Sequence, residues 1–183
     1  IKKVKTFTNL EEATSKFNLV IATTNRQRFL TKKTYNNFNA LSKKFNHFKK
    51  IAILFGPENS GLSNQDLRFA NDIYTIKTAK LNKSLNLSHA VSLISFEIFS
   101  INLKLSKLKK NEKTVEMVTK NELYSFINFL IDDLENKGFF NPTEKKDSMI
   151  DNIYSIYNKM DLTKKELNML WGMHKKLKNQ PKM

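Results

Sequence analysis

Cysteine is absent from this chain, and glycine, proline and arginine are scarce. There are four glycines, three prolines, and arginine only at positions 26, 28 and 68 of 183 residues. Without cysteine there is no disulfide, no thiolate nucleophile and no cysteine-ligated zinc or iron–sulfur site. The three histidines, His47, His89 and His174, stand too far apart for a local metal-binding motif, so a metal-free chemistry is expected. No stretch of about eighteen apolar residues is found, nor a charged-then-apolar leader, and the expectation is a soluble, cytoplasmic protein without a membrane partner. The sequence opens on Ile1 inside a short extended run to Phe7, and it is read as the remainder of a longer chain.

What the chain does have is positive charge. Its formal net charge is +15, carried almost wholly by lysine. A field of that sign favours phosphate-rich partners or anionic membrane surfaces. The same mixture of lysine and abundant asparagine also arises from an AT-rich genome, so charge alone leaves the partner open.

The apolar pattern alternates between strand-like and helix-like stretches. Asn18–Thr23 is a short apolar run ending in hydroxyls, as a buried parallel strand would be, and Ile51–Phe55 and Ile73–Ile76 read alike. Between them lie a capping box at Thr8–Glu11, a helical spacing of Leu41, Phe45 and Phe48, and a second capping box at Ser63–Asp66. Strand and helix in alternation predict an α/β layered domain with an open parallel sheet. From Leu87 the residues Ala90, Val91, Ile94, Ile98 and Leu105 keep a 3.6-residue period over one long helix. The lysine-rich stretch that follows is read as a linker over residues 106–118, closing a first domain of residues 1–105.

Beyond the linker, residues 119–183 predict a small all-α domain. Thr119–Glu122 caps a helix whose stripe of Leu123, Phe126, Ile127, Leu130, Ile131 and Leu134 stops at Gly138. Asn141–Pro142 suits an N-cap and first helical position, with Met149, Ile150, Ile153, Tyr157 and Met160 turned inward. Thr163–Glu166 caps a last helix bearing Leu167, Leu170, Trp171 and Leu177. Sixty residues of this kind are marginal alone and need a neighbour to pack against. Trp171, at helical spacing, reads as core before it reads as a base-stacking platform.

Two glycines and a proline are concentrated in one turn, LFGPENSGL, residues 54–62, just past the second strand. Open α/β sheets bind ligands beyond the carboxyl ends of their strands. Alone, this is better explained by an ordinary strand-to-helix turn. A companion follows the third strand: KSLNLS, residues 83–88, whose serine and asparagine suit either helix capping or a site.

Taken together, the two loops resemble the second and third motifs of the SPOUT class (SpoU- and TrmH-like) of S-adenosylmethionine-dependent RNA 2′-O-methyltransferases. The segments LIDDLENKGFFNP and LTKKELNMLWGMHKKL are similar to the C-terminal helical extension of the bacterial TrmJ family, which methylates tRNA at anticodon-loop nucleotide 32. The resemblance implies a trefoil-knotted sheet, a homodimer, a tRNA partner and S-adenosylmethionine as methyl donor. It places Thr23, Thr24, Asn25, Gly56, Ile76, Ser84 and Leu85 against the cofactor, and Glu58, Ser84 and Asn86 at the catalytic positions. The family's deprotonating arginine and its asparagine partner belong to a first motif on an N-terminal strand and helix. That part of the fold is expected to lie upstream of Ile1, and its role is not transferred to Arg26 or Arg28. Those two arginines, next to the first loop, are read as RNA phosphate contacts ahead of plain solvated charges, since guanidinium forks suit phosphate; Lys32, Lys33, Lys43 and Lys44 extend the patch on that reading, though each taken singly reads first as part of a lysine-rich exposed face. Within the same reading an rRNA 2′-O-methyltransferase and a non-catalytic basic RNA-binding module stay open.

Overall fold

The computed structural model describes residues 3–26, 32–79, 85–105 and 115–178. At its centre is β1 (Leu19–Thr23), flanked by β3 (Ile51–Leu54) on one side and β4 (Asp72–Tyr74) on the other, with β2 (Thr34–Tyr35) outside β4. All three ladders are parallel, with Ile21 opposite Ile53 and Ala22 opposite Ile73. Leu19, Val20, Ile21 and Ala22 are wholly buried because both faces of the sheet are covered. Their unbroken apolar run is what a two-sided strand requires.

The alternation of β1 side chains divides the core into layers. Leu19 and Ile21 pack with Phe38, Leu41, Ile94 and Ile101, from α2 (Phe38–Ser42) and α4 (Leu87–Leu105). Val20 and Ala22 pack with Leu62, Leu67 and Ala70, around α3 (Asn64–Leu67). Each buried aliphatic side chain contributes roughly 1.5–3 kcal/mol relative to exposure.

Several element bounds differ from the sequence reading. The first helix, α1 (Leu10–Thr14), is capped by Asn9, whose Oδ1 accepts from the Glu12 amide, while Thr8 Oγ1 donates to Glu12; the expected Thr8–Glu11 box is displaced by one residue. The spacing of Leu41, Phe45 and Phe48 is divided between α2 and a 3-10 turn over Lys43–His47, so one helix is replaced by two short pieces. The strand read over residues 73–76 covers Asp72–Tyr74. The box at Ser63–Asp66 is present, although the helix it opens is a single turn.

The C-terminal helices are α5 (Lys120–Asn136), α6 (Lys146–Asn158) and α7 (Lys164–Lys178). Thr119 and Glu122 form the expected reciprocal cap of α5. Gly138, at φ +70°, ends it: the Gly138 amide donates to the Glu135 carbonyl and the Phe139 amide to the Leu134 carbonyl, a Schellman closure. Asn141 does not cap α6. Its side chain donates to the Gly138 carbonyl, a 3-10 turn over Thr143–Lys145 intervenes, and α6 begins at Lys146. Tyr154, Ser155 and Asn158 are the buried side chains of α6, whereas Met160, expected inward, is exposed, as is Leu177 on α7.

These helices build a third cluster, of Leu123, Phe126, Ile127, Tyr154 and Leu167, on Phe69 and Leu10 of the sheet-bearing part. The Phe69 ring meets Tyr124 and Tyr154 edge-on, each at 5.4 Å. A polar seam lies beside it. Asn71 accepts from the Val20 amide at 2.9 Å and donates to the Asn158 carbonyl at 2.7 Å and to Asp161 at 2.9 Å. Lys120, fully buried, donates to the Asn158 side chain, and Lys44 bridges Asp72 and Asp161. Residues 106–114 of the expected linker lie outside the described residues. At its end, Asn18 Nδ2 donates to the carbonyls of Met117 and Val118, and Val118 is buried.

Candidate functional site

Three parallel strands release their loops on the same edge of the sheet, and a cleft of about 1460 Å³ opens there. β1 delivers Thr23, Thr24, Asn25 and Arg26. β3 delivers Gly56, Pro57 and Glu58; β4 delivers Ile76 and Thr78; and the entry to α4 delivers Leu85. Each of these lines the cleft, so the first loop, the LFGPENSGL turn and the segment entering α4 face one hollow. Ser84 and Arg28 lie outside the described residues.

The turn after β3 answers to its own geometry. A Cβ on Gly56 would lie 2.3 Å from the Gly61 carbonyl carbon and 2.3 Å from the Leu62 nitrogen. No side chain fits, because the loop closes on itself through the Gly61 amide donating to the Pro57 carbonyl at 2.7 Å. Gly61 takes φ +65°, a conformation that glycine adopts without strain. The turn thereby holds Glu58 at the rim of the cleft.

Asn86 meets that carboxylate. Its Nδ2 donates to Glu58 Oε1 at 2.8 Å, while its Oδ1 accepts from the Ser88 amide at 2.9 Å and from the Ser88 hydroxyl at 2.5 Å. The asparagine is therefore both a cap for α4 and the clasp between the two loops. Capping of α4 and contact with the neighbouring loop are served by opposite ends of one amide.

The floor is fixed by further hydrogen bonds. Thr23 Oγ1 donates to the Leu54 carbonyl at 2.7 Å, and Thr75 Oγ1 donates to the Thr24 carbonyl at 2.8 Å. Arg26 Nη2 reaches the Asn59 carbonyl at 3.4 Å, which ties the first loop to the second. The cleft mixes these hydroxyls and amides with Phe55, Leu85, Leu87 and Ala90. S-adenosylmethionine joins an adenosine, with a flat aromatic base and a polar sugar, through its sulfonium to a charged amino-acid arm, and the mixed lining suits a molecule of that kind. Among the described residues no cluster of histidine and carboxylate side chains is placed to hold a metal ion.

The structure adds lining residues that the sequence did not disclose, among them Thr34, Asn36 and Lys77, and it brings Lys32 to the cleft in another role. Thr34 belongs to β2 and Asn36 follows it, a strand two residues long and too short to show a period. Lys32 departs from its expected place in a phosphate-binding patch. It is 9% exposed and its ammonium donates to the Ala70 carbonyl at 2.6 Å. Burial pushes its pKa down to about 7, with Asp72 opposing and Lys159 assisting. Lys44 is likewise committed, to Asp72 and Asp161, whereas Lys33 and Lys43 are exposed. Trp171 packs against Phe126 and Phe129 at the edge of the helical core, but it is only half-buried and is open on one side.

An open parallel sheet with strand-end loops clasped over one cleft is an α/β architecture suited to holding a ligand, and comparison with known proteins identifies its class. Residues 1–96, just over half the chain, match the SpoU rRNA Methylase family, and the chain belongs to that family of RNA methyltransferases. It is 28% identical over 175 residues to the tRNA (cytidine/uridine/adenosine-2′-O-)-methyltransferase TrmJ of Pseudomonas aeruginosa, covering 90% of this chain and 68% of that protein. It is also 28% identical over 180 residues to an uncharacterized tRNA/rRNA methyltransferase of Haemophilus influenzae, covering 94% of this chain and 71% of that one. The crystal structure of TrmJ from Z. mobilis ZM4 superposes with a TM-score of 0.83 at 26% identity, over 97% of this chain and 75% of that one. The likeness thus extends through the C-terminal helices as well as the sheet.

Proposed function

We propose that this protein transfers a methyl group from S-adenosylmethionine to a ribose 2′-hydroxyl of tRNA, at nucleotide 32 of the anticodon loop, in the cytoplasm. The observation that carries the reading is the Asn86–Glu58 clasp, which turns the second and third loops toward the same hollow. Likeness to TrmJ across 97% of the chain, helical extension included, favours tRNA over the rRNA that the family description names.

Thr23, Thr24, Asn25, Gly56, Ile76, Ser84 and Leu85 would hold the cofactor, and the two loops would be knotted around it. When bound, the sulfonium supplies an electrophilic methyl that needs no metal activation. The chain's own residues then have to align a weak nucleophile. Glu58, Ser84 and Asn86 organise the loops and the target ribose, and alignment of this kind lowers barriers by removing entropy in advance. Arg26, which lines the cleft, and Arg28, two residues on in the sequence, would supply guanidinium groups for phosphate.

A second copy of the chain would complete the site. On α4, Phe96 is 67% and Phe99 59% exposed, one helical turn apart, on the side opposite the buried Ile94 and Ile101. Apolar rings on one helix face suit a self-complementary contact between two copies.

The test is incubation with unmodified tRNA and labelled cofactor, followed by mapping of the modified ribose. A methyl on one anticodon-loop ribose is expected, together with S-adenosylhomocysteine binding in calorimetry. Methylation confined to ribosomal RNA refutes the substrate, and absence of cofactor binding favours a non-catalytic RNA-binding module. Asn86→Ala and Ser84→Ala should retain the fold and lose turnover.

A further inference from the structure

A second cleft, of about 410 Å³, lies in the helical extension between α5 and α7. It falls at the lower end of the roughly 300–1,000 Å³ spanned by small-ligand sites. Asn121 and Ser125, one turn apart on α5, face Asn168 and Trp171, one turn apart on α7, with Lys164 and Glu122 toward the end where α7 starts. Neither the Asn121 nor the Asn168 side-chain amide is engaged with another group among the described residues. Each offers a donor pair and an acceptor to the cleft.

The chemistry of this lining is that of a base edge and a base face. Trp171 is held by Phe126, at 5.2 Å and 79°, and by Phe129, at 4.9 Å and 41°, so its indole is a fixed platform. The cleft itself is close to neutral. Glu122 is engaged by the Thr119 amide and hydroxyl, and Lys164 by Glu116 at 2.7 Å and Glu122 at 3.5 Å. A neutral hollow with free amides and an aromatic ring suits an uncharged heterocycle better than a phosphate. Exposed Lys165, Lys175 and Lys176 on the same helix supply the cations, the Lys175 ammonium standing 5.7 Å from the indole centroid. Unpaired bases of RNA are recognised in this way, by stacking on aromatic rings and hydrogen bonds to their edges, with the backbone held electrostatically.

We propose that the α5–α7 cleft is a nucleobase subsite that takes one unpaired nucleotide of the RNA substrate, stacked at Trp171 and read by Asn121 and Asn168. The subsite rests on the tRNA methyltransferase reading and deepens it, by giving the helical extension a direct contact with RNA outside the methyl-transfer cleft.

Trp171 is the only tryptophan among these 183 residues, and subtracting the emission of a Trp171→Phe variant isolates the signal of this cleft in a longer chain. In the full-length dimer, titration with unmodified tRNA should quench that emission along the same curve as filter binding. Asn121→Ala and Asn168→Ala, both at exposed helix positions, should weaken tRNA binding about 5- to 100-fold, the range of one base contact. S-adenosylhomocysteine affinity should not change. Trp171→Phe, which keeps a stacking ring, should lose less affinity than Trp171→Ala, with circular dichroism checking that both fold. tRNA bound with unmoved emission, or both amide variants binding as tightly as wild type, overturns the subsite and leaves the enzyme reading standing. Quenching intact without methyl transfer overturns the enzyme reading and leaves the subsite.

Discussion

Replacing Lys32 with methionine should change how stability depends on pH. The ammonium is buried against the Ala70 carbonyl, and burial lowers its pKa from the ordinary 10.5 to about 7. Between those values the unfolded chain carries a proton at this position that the folded chain lacks. Stability therefore rises with pH across this window, by about 1.4 kcal/mol per pH unit from this group alone. The full interval from 10.5 to about 7 corresponds to about 5 kcal/mol of destabilisation at and below neutral pH, and it vanishes above the unfolded value. Methionine removes that dependence but leaves the Ala70 carbonyl without its partner, a pH-independent loss of about 1–3 kcal/mol. The slope is therefore a cleaner readout than the net stability. Buried Tyr124 and Tyr154, with raised pKa values, act in the opposite sense in more alkaline solution, so the comparison belongs between pH 7.5 and 9.5. Urea unfolding followed by circular dichroism at three pH values should show wild type gaining on Lys32→Met by about 2–3 kcal/mol over this range, a midpoint difference of roughly 1 M. Two parallel stability curves would refute the assignment of a buried, neutral lysine.

Further outcomes can be stated for the turn, the last helix and α4. Gly56→Ala places a Cβ 2.3 Å from two backbone atoms of residues 61 and 62, and should weaken S-adenosylhomocysteine binding by about tenfold or more while circular dichroism stays native. Gly172 lies inside α7 with nothing within 4 Å of a built Cβ, so Gly172→Ala should stabilise the protein by about 0.5–1 kcal/mol, read as a higher melting temperature. Phe96→Asp on the exposed face of α4 should weaken self-association by roughly thirtyfold, or about 2 kcal/mol, in analytical ultracentrifugation. An unchanged sedimentation coefficient at micromolar concentration would dismiss that face as the contact.

The parts of the fold that sequence disclosed are those written in local pattern. β1 shows as an unbroken apolar run because both its faces are covered, and the boxes at Ser63, Thr119 and Thr163 show because capping acts within four residues. The Glu58 and Asn86 loops were legible as a pair only through their motif likeness, and the structure supplies the hydrogen bond between them. What stayed hidden depends on distant partners. β2 is two residues long and exists through its pairing with β4. Lys32 and Lys44 look like any surface lysine until the Ala70 carbonyl, Asp72 and Asp161 are brought to them. The start of α6 moved because the chain after Gly138 turns through Asn141 rather than being capped by it.

The stitching of Asn71, Asn158 and Lys120 bears on how this protein can be cut or recombined. A truncation that ended the polypeptide after α4 would strip both acceptors from Asn71 Nδ2, leave Asn18 Nδ2 without its two acceptors, and bare Phe69 to water. Engineers wishing to exchange the last three helices for those of a relative would have to transplant the matching residues beneath the sheet along with them, because the polar seam is shared between the two parts.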